Sequence, residues 1–410
     1  MILKNERFSL QGVDLLEVAE QYGTPVYVYD AERILGQINQ LKSAFSQLPL
    51  KLKYATKALS NLNILKIIKL GGCGLDVVSI QEARLGLMAG FAPEDIMFTP
   101  NCTPFAEIEQ AVDLGLYLNI DNLPFLERFG QLYGSSYPVC IRINPHIVAG
   151  GNEKIKTGHA ESKFGISIDQ QQEIYEIVKK YNIAINGVHV HTGSDFSDVD
   201  VFLKGAEVVF SVAKNFPNLE FIDFGSGFKV AYKEGDKTTD VQELGAKMTA
   251  RFQTFCKEYG RELAIWFEPG KYLVSDSGLL LVNVNVVKKT PAATFLGVNS
   301  GLNHLIRPMM YSAHHDIVNL SNTSQSKKKY AVVGYICETD TFAWDMELSE
   351  AHEGDVLAIK NAGAYGFSMS SNYNSRFRPA EVLIHEGKVH LIRKREVFED
   401  LLKNQVLADL

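Results

Sequence analysis

One layout recurs along the first two thirds of the chain, and it limits the possible folds more than any other feature. A short run of β-branched and aromatic residues is followed by a polar residue or glycine, and then by roughly a dozen or more residues with helical hydrophobic spacing. Eight strand-like runs can be counted, at residues 51–55, 73–79, 95–99, 116–120, 139–144, 186–191, 220–225 and 264–268. Strands alternating with helices in this way predict a closed (β/α)8 barrel of the TIM type.

Residues with reactive or polar side chains fall at the carboxyl ends of these runs: Lys57, Asp76, Asn119, Arg142, His191, Gly225 and Glu268. In a barrel all these ends lie on one face, which carries the active site. Polar residues also end strands for structural reasons alone. Lys57 and Glu268, however, belong to the first and last strands, which are neighbours in a closed barrel. The sequence therefore predicts a site that contains both.

Length and charge are typical of a soluble enzyme with two domains. In a chain of 410 residues, a barrel of about 250 residues leaves room for a second, smaller unit. The net charge of −7 and the lack of a long basic run argue against nucleic acid or a membrane as a partner, so we expect a small-molecule substrate. No run approaches the roughly 18 apolar residues of a membrane span, and the charged N-terminus does not resemble a signal peptide.

The cysteines indicate a reducing compartment. They are widely spaced, odd in number and without a C-x-x-C pair, at Cys73, Cys102, Cys140, Cys256 and Cys337. We therefore expect free thiols and a cytoplasmic location, with neither a disulfide framework nor a structural zinc site.

After the eighth run the sequence changes character. Long amphipathic helices are absent, and strand-like runs occupy residues 278–289, 329–338, 355–365 and 379–394. The letters HEGK predict a hairpin turn within the last run. We therefore expect a barrel domain over residues 32–270 and an all-β domain over residues 271–410. The alternating segment 24–30 indicates that residues 1–31 join the β domain.

Lys57 and Glu268 together suit one cofactor. We expect the barrel mouth to desolvate the lysine and so to free a neutral amine for a Schiff base. A carboxylate in the same mouth can keep a pyridine nitrogen protonated, which lets pyridoxal 5′-phosphate (PLP) accept electrons. Taken singly, Lys57 could be a surface residue and Glu268 a solvated acid in a turn. Taken together, they predict a PLP site.

Two further motifs fit the rest of this cofactor. The GSG of residues 225–227 follows the seventh strand, where barrels often bind phosphate through backbone N–H groups, although G-x-G also occurs in ordinary turns. HTGS adds the hydroxyl of Ser194 and the ring of His191, which could lie flat over the pyridine. His189 and His191 share a strand face and could instead bind a metal. A metallohydrolase barrel needs histidines at other strand ends, so we predict no metal.

The β domain supplies its own candidates. Cys337 and Glu338 are expected to end a strand, and Tyr365 lies in the segment AGAYGFS. Arg307 and Tyr311 are four residues apart, which places them on one face if the intervening proline begins a helical turn. A guanidinium binds a carboxylate through two hydrogen bonds, so this pair suits a substrate carboxylate. A buried apolar thiol is the simpler explanation for Cys337 alone.

Read in order, these motifs resemble a known family. They are YATKA (54–58), LDVVSIQE (75–82), ESKFGI (161–166), HTGS (191–194), DFGSGF (223–228), EPGK (268–271), ICETD (336–340) and AGAYGFSMSSNYNSRFRPAEVLI (362–384). Along nearly the whole chain they resemble the fold type III PLP-dependent decarboxylases, which share the alanine racemase-like fold, and in particular the diaminopimelate decarboxylase family. The last segment is the most specific, because ornithine and arginine decarboxylases share the others.

The resemblance implies roles in the cofactor site. Lys57 would bind PLP covalently, His191 would stack on its ring and Glu268 would bind the pyridinium nitrogen. The other implied cofactor contacts are Asp76, Ser194, Gly225, Ser226, Gly227, Gly270 and Tyr365.

It also implies a substrate, meso-2,6-diaminopimelate, and decarboxylation to L-lysine. The substrate would contact Lys271, Arg307, Tyr311, Glu338 and Tyr365, and Cys337 would protonate the carbon that loses carbon dioxide. Ornithine, whose distal end is an amine only, would leave Arg307 buried without a partner. In this family the Cys337–Glu338 segment reaches into a neighbouring barrel, so the resemblance implies a homodimer with composite sites.

The chain departs from the family pattern at three places. Lys271 replaces the usual arginine, so a bidentate contact becomes a point-charge contact. Ser226 interrupts a more common triple glycine, and the sequence of the loop 339–345 differs from that usual in the family. The nearest alternatives are decarboxylases of ornithine, lysine or carboxynorspermidine. A racemase, which would avoid a carboxylate at the pyridine nitrogen, and a non-catalytic homologue fit less well.

Overall fold

The computed structural model describes residues 1–147, 161–191, 193 and 195–410. Contacts divide this part of the chain into two units. The barrel unit consists of Leu35–Ala231 and Lys237–Leu273, and the β unit consists of Met1–Ile34, Tyr232–Asp236 and Val274–Leu410. Among the residues described, no helix is long and apolar enough to cross a membrane.

The strands are, in chain order, β1 (Ile2–Lys4), β2 (Arg7–Leu10), β3 (Val13–Asp14), β4 (Val26–Asp30), β5 (Leu50–Ala55), β6 (Gly74–Val77), β7 (Ile96–Phe98), β8 (Tyr117–Ile120), β9 (Val139–Asn144), β10 (Ile166–Ser167), β11 (Ile185–Val190), β12 (Phe221–Asp223), β13 (Ala264–Phe267), β14 (Gly278–Lys289), β15 (Thr294–Val298), β16 (Ile317–Asn319), β17 (Lys327–Val333), β18 (Thr341–Ser349), β19 (Val356–Ile359), β20 (Ala380–His385) and β21 (Lys388–Arg393).

The α-helices are α1 (Leu15–Tyr22), α2 (Ala31–Ala44), α3 (Leu62–Leu70), α4 (Ile80–Met88), α5 (Phe105–Asp113), α6 (Leu123–Tyr133), α7 (Gln171–Tyr181), α8 (Val199–Ala213), α9 (Val241–Tyr259), α10 (Lys271–Val274), α11 (Arg307–Tyr311) and α12 (Phe398–Leu402). Several begin at a side chain that accepts a backbone N–H of the first turn, as expected of good N-caps: Asn61, Ser79, Asn122, Asp198 and Asp240.

Eight parallel strands close the barrel. Their order is β9, β11, β12, β13, β5, β6, β7, β8, and β8 pairs back with β9. The short strand β10 adds a parallel pairing to β9. Each of the eight predicted runs overlaps one of these strands, so the predicted barrel is confirmed.

The lower part of the barrel interior is apolar and tightly packed. A buried cluster fills it, formed by Met97, Cys140, Phe221 and Trp266 with Tyr117 and Ala264 against it. The rings of Phe221 and Trp266 stack with centroids 3.7 Å apart. Gly187 leaves the space for this stack, because a Cβ at that position would lie 2.3 Å from the Phe221 ring. The amine of Lys53 also reaches this cluster, 4.6 Å from the centroid of the Trp266 ring. The polar residues His189, Asp223 and Glu268 lie at or near the carboxyl ends of their strands.

The β unit is built around a mixed sheet in the order β18, β17, β15, β14, β4, β20, β21. The long strand β14 pairs antiparallel with β15, β19 and β4, while β4 pairs in parallel with β20. The early segment 24–30 thus supplies a central strand of this sheet. The hairpin predicted at HEGK joins β20 and β21. Three short antiparallel strands, β1 to β3, form a separate sheet.

Candidate active site

Lys57 lies at the mouth of the barrel, in a 3-10 turn that follows β5. Its Nζ is 2.9 Å from Oδ2 of Asp76, and the two side chains are 43% and 1% exposed. The expected desolvation of Lys57 is therefore wrong, because the turn carries the residue beyond the buried strand. Lys53 is a desolvated lysine of the barrel: burial lowers its pKa to about 8. Burial raises the pKa of Asp76, as does the charge of Glu268, while Lys57 opposes this.

Glu268 follows β13 and is held by two contacts. Its backbone N–H donates to the carbonyl of Gly225 at 2.6 Å, and Oε2 lies 3.1 Å from Nε2 of His189. Burial opposes ionisation of Glu268, but the charge and hydrogen bond of His189 and the charge of Lys57 outweigh it and lower the pKa to about 2. The carboxylate is therefore ionised at neutral pH. Its Oε1 is buried and finds no hydrogen-bond partner among the described residues.

The pKa of Asp223, on the strand between those of His189 and Glu268, is shifted in the opposite direction. Burial and the neighbouring charge of Glu268 raise this pKa well above the usual value, which favours the protonated carboxyl. Its Oδ1 accepts the N–H of Gly225 at 2.8 Å. Donor atoms of Asp223, His189 and Glu268 lie within 4.8 Å of one another. Of the two histidines considered as metal ligands, only His189 belongs to this group of donor atoms.

His191 is neutral and is fixed by the glycine-rich turn after β12. Burial, and then the charge of Arg142, lower its pKa to about 3. Its Nδ1 accepts the backbone N–H of Ser226 at 3.2 Å. Gly225 has φ +60°, and a Cβ there would lie 2.6 Å from this nitrogen. Gly227 has φ +129°, and its Cβ would meet the carbonyl of residue 193 at 2.4 Å. The turn therefore requires glycine at both positions.

Three candidate residues of the barrel remain: Gly270, Lys271 and Ser194. Gly270 packs against the end of β5, where an added Cβ would come 3.1 Å from that of Ala55. Lys271 forms an ion pair with Asp195, and its side chain is only 11% exposed. Ser194, the predicted hydroxyl contact, lies outside the described residues.

In the β unit, Arg307 and its neighbours form a second group. Arg307 begins α11, which ends at Tyr311, as the proline in this segment predicts. Its guanidinium carbon lies 5.4, 5.8 and 6.0 Å from the ring centroids of Tyr232, Tyr311 and Tyr365. Arg307 is 8% exposed, and its Nε has no hydrogen-bond partner among the described residues. The site is thus a buried cation lined by aromatic rings.

Cys337 and Glu338 do not end a strand, contrary to the prediction. β17 stops at Val333, and the following loop turns back so that the N–H of Gly334 donates to the carbonyl of Asp340 at 2.8 Å. The turn depends on two glycines, because a Cβ at Gly334 or Gly301 would lie 2.0 or 2.5 Å from Oδ2 of Asp340.

Two residues of the segment NYN hold this loop. The hydroxyl of Tyr373 donates to Glu338 at 2.7 Å. The Asn374 amide donates to Sγ of Cys337 at 3.0 Å, and the Cys337 N–H donates to Oδ1 of Asn374 at 2.9 Å. Cys337 is exposed, so the alternative of a buried apolar thiol is wrong.

Sequence reasoning did not single out several of these partners. His189 entered only as half of an H-x-H pair, and Asp223 only as a letter of DFGSGF. Tyr232, Tyr373 and Asn374 carried no signal of their own. Their partners lie far along the chain, so spacing alone does not reveal the contacts.

The barrel group has the chemistry that PLP requires: a lysine amine at the mouth, a neutral imidazole, and an ionised carboxylate with one buried unpartnered oxygen. Residues 31–275 match the family model described as "Pyridoxal-dependent decarboxylase, pyridoxal binding domain". Fold, site and family model together define a PLP-dependent decarboxylase. A diaminopimelate decarboxylase of Methanothermobacter thermautotrophicus is 40% identical over 96% of this chain and 94% of its own length. The chain belongs to the diaminopimelate decarboxylase family.

Solved structures agree with this assignment. A diaminopimelate decarboxylase from Helicobacter pylori, complexed with L-lysine, has a TM-score of 0.88 and 35% identity, and covers 95% of this chain and 98% of its own. One from M. jannaschii, also with L-lysine, has a TM-score of 0.92 and 31% identity, and covers 99% and 98%. These structures confirm the predicted fold of a barrel joined to a β domain.

Proposed function

We propose that the protein catalyses the PLP-dependent decarboxylation of meso-2,6-diaminopimelate to L-lysine and carbon dioxide, the last step of lysine biosynthesis. One observation carries the choice of substrate. Arg307 is 8% exposed, and its Nε has no hydrogen-bond partner among the described residues. A buried guanidinium without a counter-ion is costly, and a carboxylate on the distal carbon of the substrate relieves that cost. Ornithine and lysine lack this carboxylate.

We assign the cofactor to the barrel domain, residues 32–270. When bound, PLP accepts the electron pair that is released as the bond to the carboxylate breaks. Lys57 supplies the amine that holds the cofactor, and Asp76 keeps this amine in place through its contact of 2.9 Å. His191 would stack on the ring of the cofactor. Glu268 offers its unpartnered Oε1 to the pyridinium N–H, and its negative charge favours the protonated ring.

The phosphate contacts follow from the turns of the barrel mouth and from the β domain. Glycine at positions 225 and 227 allows close approach of backbone to an anion. We place Gly225, Ser226 and Gly227 around the phosphate, with Ser194 and Tyr365 as hydroxyl donors, and Gly270 beneath the cofactor. Lys271 follows Gly270 in sequence, and we assign to it a point charge in the site.

The distal end of the substrate is assigned to the β domain, residues 271–410. Arg307 binds the carboxylate with help from the Tyr311 hydroxyl, and Glu338 binds the ammonium. Cys337 delivers a proton to the carbon that has lost carbon dioxide. The loop that carries Cys337 and Glu338 is exposed in the single chain. We therefore propose that it completes the site of a second copy, so that the enzyme is a homodimer. Five free thiols fit a cytoplasmic enzyme.

Release of carbon dioxide from purified, PLP-loaded protein tests the proposal. We expect release from meso-diaminopimelate, with lysine as co-product, and none from ornithine or lysine. Release from ornithine or lysine alone would keep the cofactor but refute the assignment of the distal carboxylate to Arg307. A Lys57→Ala preparation serves as the blank for release that does not depend on the enzyme.

Substitution of Arg307 tests the carrying observation directly. Arg307→Ala should lower kcat/KM for diaminopimelate by about 100-fold or more, because a charged, bidentate contact is lost. Arg307→Lys, which keeps the charge but not the paired geometry, should lie between this variant and the wild type. Unchanged kcat/KM in Arg307→Ala would remove the residue from the site.

A further inference from the structure

His189 has no part in the function proposed above, yet it is buried at the centre of the barrel group. It is 1% exposed and lies on β11, two strands away from β13, after which Glu268 follows. The side chains meet across the interior, past Asp223 on β12, with Nε2 and Oε2 3.1 Å apart. A polar pair this deeply buried has a high cost unless the contact is well formed.

The state of Glu268 decides the direction of this hydrogen bond. With its pKa lowered to about 2, the carboxylate is ionised and can only accept. His189 therefore carries a proton on Nε2 and donates it to Oε2. The other oxygen, Oε1, is buried and has no partner among the described residues. One oxygen of the carboxylate is thus held by the protein, and the second remains for another donor.

We propose that His189 is a positioning residue that orients Glu268 and keeps it ionised, so that the second oxygen of the carboxylate faces the pyridinium nitrogen of PLP. The inference rests on the proposed cofactor site and deepens it. Loss of the donor would harm binding in two ways. The carboxylate could rotate, and its burial would favour the protonated form, which does not stabilise a protonated pyridine.

Among the described residues, no other side chain donates a hydrogen bond to the Glu268 carboxylate, although the charges of Arg142 and Lys57 act on it. Burial and the charge of Glu268 raise the pKa of Asp223, and its Oδ1 is already used by the N–H of Gly225. Lys57 is paired with Asp76. We therefore expect the hydrogen bond from His189 to be specifically required.

Direct titration of apoprotein with PLP, followed by absorbance, tests the proposal without any turnover. His189→Leu should raise the dissociation constant for PLP by about tenfold to 100-fold, the range for a hydrogen bond to a charged group. His189→Gln places an amide N–H near the position of Nε2 and should stay within about threefold of the wild type. His189→Asn, whose amide corresponds to Nδ1 instead, should behave like His189→Leu.

Two comparisons separate positioning from general damage to the barrel. Thr99→Val removes a buried hydroxyl that has no hydrogen-bond partner among the described residues, and it should leave PLP affinity unchanged. In a Glu268→Gln background, His189→Leu should add no further loss, because a residue that acts through Glu268 has nothing left to position.

Several results would overturn the proposal. They are equal PLP affinity of the His189→Gln and His189→Asn variants, wild-type affinity of His189→Leu, or a full additional loss in the Glu268→Gln background. These outcomes are distinct from failure of the proposed function. A wild-type protein that binds PLP but releases no carbon dioxide from diaminopimelate would refute the substrate assignment and leave the role of His189 open to the same titration.

Discussion

Replacing the buried Lys53 with methionine should stabilise the protein, and the gain should disappear at high pH. The Lys53 side chain is 1% exposed, and its Nζ lies 4.6 and 5.3 Å from the ring centroids of Trp266 and Tyr117. Its hydrogen bond to the carbonyl of Glu94 is long, at 3.4 Å. Burial, reinforced by the charge of Lys51, lowers the pKa of Lys53 from 10.5 to about 8.

The sign of the effect follows from proton binding. Between pH 8 and 10.5 the unfolded chain holds the proton on Lys53 and the folded chain does not, so the free energy of unfolding rises with pH in this window. At about 1.4 kcal/mol per pH unit, the total is about 3 kcal/mol. Below pH 8 the buried charge of Lys53 lowers the free energy of unfolding by this whole amount. Cation–π contacts with the two rings offset about 0.5–2 kcal/mol of it, so Lys53→Met should raise the free energy of unfolding by about 1–3 kcal/mol at pH 7.

Urea unfolding, followed by the fluorescence of Trp266, measures this difference. A Trp344→Phe background removes the only other tryptophan. The gain of Lys53→Met over its parent should be largest at pH 7, at about 1–3 kcal/mol, and should fall to about zero by pH 10.5. Lys51→Met, which removes an exposed lysine 5.4 Å from the same ring, should change the free energy of unfolding by less than about 0.5 kcal/mol. A gain in Lys53→Met that is independent of pH would refute the reasoning.

Three further substitutions test the site. Lys57→Ala should leave no PLP attached after borohydride reduction and denaturation, as measured by mass spectrometry; retained cofactor mass would contradict its role. Gly225→Ala should weaken PLP binding by about tenfold or more, because its Cβ would lie 2.6 Å from Nδ1 of His191, and unchanged affinity in a titration would argue against a rigid turn. Tyr373→Phe should raise KM for diaminopimelate about tenfold with little change in kcat, because it removes the hydrogen bond that holds Glu338. This hydrogen bond raises the pKa of the Tyr373 phenol, which keeps the hydroxyl a donor. An equal fall in kcat would show instead that the whole loop has moved.

The barrel was predictable from sequence because its strands are buried on both faces and carry a strong local signal. β-branched and aromatic runs mark each strand, and the rule that the strand ends meet at one face then places Lys57 near Asp76 and His191 near the 225–227 turn. What failed was the prediction of solvent exposure. Alternation along β5 turns Lys53 into the core, whereas Lys57 follows the strand and reaches solvent.

Contacts set by tertiary structure were not predictable. The link between His189 and Glu268 exists only once β11, β12 and β13 lie side by side in the closed barrel. The turn that carries Cys337 depends on a carboxylate, Asp340, packed against glycines from two segments, and no local pattern marks such a turn. Strand β18 begins directly after this turn and has only two buried residues among its nine, so the period-two signal that marked the other strands is weak there.

The position of β4 in the middle of its sheet imposes an order on folding during synthesis. Its buried residues 26–29 leave the ribosome about 350 residues ahead of β20, the strand that covers one of its edges. At about 5–20 residues per second, this delay lasts about 20–70 s. A nascent chain must therefore protect an apolar strand with open edges for most of its synthesis. Premature termination between residues 375 and 379 would leave that edge uncovered permanently, although every residue assigned to the active site would already be present.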